Sequence, residues 1–532
     1  MNKTSKTFMA LMLSLMLCAG SLSGCASSDE SNSSSEASSV EEAVADTTSE
    51  EASEATAEDE TSEASETADA AEASAETEAS DAEQAEGEGS ADGAGGDGQP
   101  GGEAPSGEAP SGDGQPGGEG GGQQAPNGAG GSSSSSVEYS AASEITEDAE
   151  VSGESYSSET ADENALSVSG DVTVTLDGIT VTKTGDSDGG DNTSFYGINS
   201  AVIAKDGANV TITNATITTS ATGANGTFSY GGSATTNNTS SDGTTLTISN
   251  STITTSGDNS GGIMTTGGGT TYAYDCTVTT EGISSAAIRS DRGGGTVVVD
   301  GGTYTTNGAG SPAVYSTADI TVKNATLVAT ASEGLIVEGL NSITLENCVV
   351  EDSNTQLNGQ STTYKNIFLY QSQSGDAADG VSSFSATDCT ITTNNGDTFY
   401  ITNTEAYIYL SGNTFVNNDE DGYFLRAQGD SWGTEGSNGG LVTLVLDGQE
   451  VEGDIYVDDC STLDMTLENG SSYTGTLNGD NTAESVTLTL SADSTLTLTG
   501  DCYVTSFTNE DSTNSNINFN GYTLYVNGTA VN

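Results

Sequence analysis

The chain has no histidine, one tryptophan and only nine lysines and arginines, against 79 aspartates and glutamates. Each shortage excludes something. Nucleic acids are held by cationic groups that displace phosphate counterions, and a chain of net charge −70 repels them, so no nucleic-acid partner is expected. With no imidazole and no CxxC pair among seven cysteines, the usual zinc ligand sets are missing. Five of the cysteines (Cys276, Cys348, Cys389, Cys460, Cys502) are widely spaced, which argues against a disulfide framework. No window carries a 3.6-residue apolar stripe, which argues against helical repeats. No apolar run after the first 24 residues is long enough to cross a bilayer as a helix.

What is present begins with Lys3 and Lys6, followed by the apolar run Phe8–Leu17 and then Leu22-Ser23-Gly24-Cys25. This resembles a bacterial lipobox closing a signal peptide. The resemblance implies removal of residues 1–24 and acylation of the Cys25 thiol. The expected location is therefore the cell membrane, lipid-anchored on its extracellular face, with membrane contact through the lipid alone. Residues 25–136 contain no Lys or Arg; they are acidic and Ala/Ser/Glu-rich first, then Gly/Pro/Ser-rich. Their apolar content is nearly all alanine, too little to offset the entropy of ordering a backbone, so a disordered linker is expected. Residues 137–164 read as a transitional segment.

From residue 165 to 532 one phrase recurs. It reads Val210-Thr-Ile-Thr-Asn-Ala-Thr-Ile217, Leu246-Thr-Ile-Ser-Asn-Ser-Thr-Ile253 and Ile320-Thr-Val-Lys-Asn-Ala-Thr-Leu327. Two strands of period two meet at a corner residue: Gly178, Asn214, Asn250, Asp275, Gly301, Asn324, Asn347, Asp388, Gly412 and Gly448. The shortest returns lie about 24 residues apart, and longer ones add a loop. A unit of that length holding three short strands is one coil of a parallel β-helix, which buries its inward side chains only by stacking. Val210, Ile212 and Ile217 are expected to point inward. Cys276, Cys348 and Cys389 share the small-residue position of Ala215, Ser251 and Ala325, as buried fillers. Ala165–Thr175 should close one end, and capping coils should begin near residue 442.

These coils resemble the right-handed parallel β-helix class, the pectin-lyase-like superfold. The stretches Ala286–Gly295, Gly310–Ile320 and Glu333–Gly339 are similar to adhesin-like surface lipoproteins of gut anaerobes. The expected fold class is all-β, a single-stranded β-helix. The resemblance implies an adhesin or carbohydrate-binding role without catalysis, directed at a cell-surface or extracellular polysaccharide or at a host or bacterial surface. Two alternatives stand beside it: a polysaccharide lyase or glycoside hydrolase, and a structural envelope protein. The hydrolase template of the superfold needs a Gly-His-Gly and an Arg-Ile-Lys, and both are missing here.

Candidate chemistry falls where the repeat is interrupted, at 185–196, 221–241, 352–380 and 427–440. Arg289 and Arg292 flank Asp291 and could grip a carboxylate. Trp432 and Tyr196 could stack on a sugar ring. Asp186, Asp188 and Asp191 form one oxygen-rich loop, and Asp419 and Asp421 belong to another; both suit Ca²⁺, the one cofactor the sequence admits, though none is required. Outward threonines form columns, among them Thr211, Thr247, Thr321 and Thr344, and Thr218, Thr254, Thr279, Thr305 and Thr392.

Overall fold

The computed structural model describes residues 137–187, 190–236, 240–357 and 361–531. Cys25, the linker 25–136 and Asp188 lie outside the described residues.

The repeat unit folds as three short strands per coil, and each strand pairs in parallel with its counterpart one coil on. The strands of the first face, from Glu144–Ile145 through Val202–Lys205 to Ile455–Val457, make a 12-stranded sheet. The second and third faces share a 22-stranded sheet. They are joined because Gly269–Thr280 and Gly295–Thr306 run unbroken through the corner between them. Near the C-terminus the third face continues as a four-stranded sheet through Glu450–Glu452, Ser472–Gly475, Thr495–Leu498 and Ile517–Asn518. The architecture is a parallel β-helix, and the residues picked out as core occupy it. Ile212 pairs with Leu176 on one side and Ile248 on the other, and all three are fully buried.

The corner is set by backbone chirality. All ten corner residues have positive φ, from 48° at Asn250 to 80° at Gly301. Most L-residues avoid this left-handed region, whereas Gly, Asn and Asp enter it readily. The asparagine amides also link the coils. Asn347 Nδ2 donates to Asn324 Oδ1 at 2.7 Å, while Asn214 and Asn324 donate to Asp177 and Asp300, the residues just before the preceding corners. Cys276, Cys348 and Cys389 are buried beside the corner, with the Cys348 N–H donating to Cys389 Sγ at 3.4 Å.

Two expectations need correction. The segment 137–164 is a full coil rather than a transition, so Ala165–Thr175 does not close the end. Glu144–Ile145, Ala149–Ser152 and Ser155–Ser158 pair with Leu166–Ser169, Thr173–Asp177 and Thr180–Lys183. Ile145, Val151 and Tyr156 pack against the core, but the exposed acids Glu144, Glu150 and Glu154 alternate with them and hide the pattern. The segment after 442 is not a set of caps either. Gly440–Asp447, Thr462–Glu468 and Ser485–Leu490 continue the second face in register. Closure comes later, where Leu524–Val526 pairs with Thr529–Ala530 in antiparallel fashion.

Candidate binding faces

Loops beside its strands cover the outer side of the first face, and two stretches expected to be insertions, 221–241 and 352–380, contain its strands Thr227–Tyr230 and Lys365–Tyr370. An outward column there runs Ile203, Phe228, Met264, Arg289, Tyr315, Ile336, Phe368, Tyr400 and Arg426. Although it points away from the core, Ile203, Phe228, Met264, Ile336, Phe368 and Tyr400 are at most 7% exposed, and Tyr315 is half-buried. At one end the short helix Asp191–Tyr196 and Tyr139 lie over it. Thr266 Oγ1 donates to the Phe195 carbonyl at 2.7 Å, and the Tyr139 hydroxyl donates to the Tyr196 carbonyl at 2.8 Å. At the other end Trp432 packs on Phe368 and Tyr370, both with ring centroids 5.3 Å away.

Charged groups on this face are paired beneath those segments. Arg289 binds Asp291 at 2.6 Å, and Arg292 binds Asp376 of the 371–380 segment at 2.5 Å while its guanidinium stacks 4.1 Å from the Phe195 ring. Arg426 binds Asp397 at 2.5 Å, and Lys365 lies 3.5 Å from Glu333. Glu338, 1% exposed, accepts from the Tyr315, Tyr370 and Ser372 hydroxyls. Burial raises the carboxyl pKa values of Asp291, Glu338 and Asp397, and it does so despite the arginine beside Asp291 and beside Asp397. Every one of these acids is held by neighbours of its own chain, so the arrangement is that of pins fastening loops to a sheet.

The structure therefore brings Arg289, Arg292, Tyr196 and Trp432 to a single face. Tyr196 is half-buried against the edge of the Tyr230 ring, with centroids 5.8 Å apart. Asp186 and Asp419 instead bond backbone N–H groups. Asp186 Oδ1 accepts the Thr222 N–H at 2.9 Å across one coil; Asp191 opens the short helix. Asp419 accepts the N–H groups of Gly396 at 2.7 Å and Asp421 at 3.0 Å, which makes it the organiser of its own turn. Sequence reasoning did not find the buried groups Glu333, Asp352, Lys365 and Asp397. One signal was available. Asp352 sits in an inward column whose other members include Thr219, Thr255, Thr280, Thr306, Ala329 and Thr393.

The third face is bare. Its outward positions pair in register through Ser155/Ser157, Thr180/Thr182, Thr216/Thr218, Thr252/Thr254, Thr277/Thr279, Thr303/Thr305 and Thr326/Val328. All but Val328 carry a hydroxyl, none is charged, and all are solvent-facing. The two columns are about 6.6 Å apart along the strand, and successive rows about 4.8 Å apart. On the next coil the pattern ends at Val349/Glu351. The threonines at 218, 254, 279 and 305 form one continuous column, but Val328 and Glu351 separate Thr392 from it, and Tyr272 and Val298 separate Thr247 from Thr321 in the other expected column.

No family model matches the chain, and no curated protein matches it. A chain in the cryo-EM structure of the Vag8–C1 inhibitor complex is similar at 16% identity and a TM-score of 0.44, over 70% of this chain and 88% of that one. By its own sheets this chain is a parallel β-helix protein.

Proposed function

We propose that this is a non-catalytic, surface-displayed binding protein whose third face lies against an uncharged, hydroxyl-rich polymer of the polysaccharide class. The observation that carries the reading is the two-column Ser/Thr array, uncharged over seven successive coils of a molecule with net charge −70. Each threonine offers a hydroxyl that both donates and accepts, beside a methyl group. Sugar rings present the same mixture of hydroxyls and C–H surface. The stacked strands hold the array rigid before contact, so little ordering entropy is lost on binding. A neutral polymer also meets no repulsion there, whereas an acidic one would face the surrounding carboxylates. Display through a lipid on Cys25 belongs to the same proposal and rests on Leu22–Cys25. Catalysis is disfavoured because the acids and bases of the first face are engaged with partners in their own chain.

Binding of the full chain to insoluble neutral and acidic polysaccharides, with analysis of any released sugars, tests this. The triple variant Thr218→Val, Thr254→Val, Thr279→Val keeps β-branched shape and loses hydroxyls; it should bind a neutral polymer about tenfold more weakly, the effect of losing about 1.4 kcal/mol. Trp432→Ala should bind like the parent chain. Release of cleaved or unsaturated products would sink the non-catalytic reading. A loss of binding confined to Trp432→Ala would move the site to the first face.

A further inference from the structure

Where the chain passes from the third face back to the first, in the coils of Leu335–Glu338 and Lys365–Tyr370, four side-chain oxygens lack a well-formed hydrogen bond, the Asn354 N–H approaching the Asp352 carboxylate without completing one. They are both carboxylate oxygens of Asp352, Oδ1 of Asn354 and Oδ1 of Asn366. None of the three residues is more than 1% exposed. An unsatisfied buried acceptor costs about 1–3 kcal/mol, and folded interiors tolerate few of them.

Asp352 and Asn366 are neighbours, and Asn354 is tied to the residue that precedes Asn366. A methyl placed on Gly334 would clash with Asn366 Oδ1 and touch Asp352 Cβ at 3.5 Å. Asp352 stacks under Thr393, and the Asn366 amide donates to Thr393 Oγ1 at 3.1 Å. The amide orientations are fixed from behind. Asn354 Nδ2 donates to the Lys365 carbonyl at 3.1 Å, and Asn366 Nδ2 to the Thr392 carbonyl at 3.2 Å. Flipping either amide would set oxygen against oxygen. Gly334 has no Cβ to displace Asn366 Oδ1, and the small residue Ala329 lies under Asp352 in the coil below. The nearby ammonium of Lys365 is engaged elsewhere: it donates to Ser361 Oγ and the Thr363 carbonyl, both at 3.0 Å, and lies over the Phe368 and Tyr400 rings.

A proton on Asp352 would satisfy one of the remaining acceptors and leave others orphaned. A hard cation would satisfy all four at once. The donor set is oxygen only, which selects against metals that favour thiolate or imidazole. A carboxylate with two amide carbonyls, completed by backbone carbonyls or water, is the ligand chemistry of calcium, whose coordination is flexible and takes 6–8 oxygens. We propose that Asp352, Asn354 and Asn366 form an internal calcium site inside the solenoid, distinct from the two surface aspartate loops. Glu333, 2% exposed, lies close by and is paired with Lys365 at 3.5 Å.

Calorimetric titration of the EDTA-treated full chain with CaCl₂ at fixed ionic strength tests the proposal. The expected result is one saturable site above the weak background of surface carboxylates. Asp352→Asn, close in shape and without the charge, should fold and lose that site, while Asp419→Asn should retain it. Asn366→Asp adds a carboxylate and should bind calcium about tenfold more tightly. An Asp352→Asn chain that titrates like the parent overturns the proposal. So does a parent chain with no saturable site, or one whose calcium is displaced by equimolar Na⁺ or K⁺.

Discussion

At the scale of single residues, inward and outward positions of the same strand differ sharply in consequence. Ile212 is stacked between Leu176 and Ile248 with no solvent exposure. Ile212→Ala should lower stability by about 2–5 kcal/mol in chemical denaturation. Thr218→Ala, on the outer surface of the adjoining strand, should change it by less than about 0.5 kcal/mol. At the corner, Asn347 holds φ at 54°. Asn347→Gly should be nearly neutral, whereas Asn347→Ala should cost about 1–2 kcal/mol, the penalty of a left-handed backbone for a residue with a Cβ and no compensating amide. Asp352 supplies a pH test. Burial pushes its carboxyl up to about 9, against about 3.9 in an unfolded chain. With calcium removed, the native state keeps a proton that the unfolded state has lost, so stability should fall as pH rises from about 4 to about 9. Asp352→Asn should flatten that decline, as measured by denaturation across the range. These positions also mark what a sequence discloses. The corner, the core columns and the three stacked cysteines were legible because each uses a restricted set of residues at a fixed return. Asp352 was not, because a lone acid in a column of threonines repeats nowhere and takes its meaning from Asn354 and Asn366 across a turn.

At the scale of elements, the inserted segments read in the sequence as the places for ligand contact, and the structure shows them fastened down. The 371–380 segment is tied by Asp376 to Arg292, 84 positions away in the chain. No local pattern announces such a pair, since the periodicity that exposes the coils breaks wherever a loop is inserted. Arg292→Ala should free the segment without unfolding the coils beneath it. Limited proteolysis should then cut within 371–380 several-fold faster than in the parent chain, with the rest of the digest unchanged. The coil at 144–158 was hidden for a related reason. Its inward residues Ile145, Val151 and Tyr156 are spaced correctly but separated by glutamates, so composition masked the spacing.

At the scale of the molecule, positive charge is gathered where it can be paired. Arg289, Arg292, Lys365 and Arg426 all sit at the first face, each within 3.5 Å of a carboxylate. The acidic excess is left to repel itself over the remaining surface. Raising NaCl from roughly 10 to 150 mM shortens the screening length from about 30 to about 8 Å, so the thermal unfolding midpoint should rise over that range. Asp352→Asn should show the same rise, which separates this general screening from occupancy of one internal site.

The last strand pair has a consequence for how such molecules coexist. Stacked parallel rungs of nearly identical sequence form a template that another copy could extend without limit, since each exposed rung matches the next. Here Val526 meets Thr529 and Tyr525 meets Ala530 with the chain running backwards. A reversed rung offers an incoming parallel one the wrong hydrogen-bond pattern along that edge. Along that one edge the reversed rung disfavours the addition of a further parallel strand.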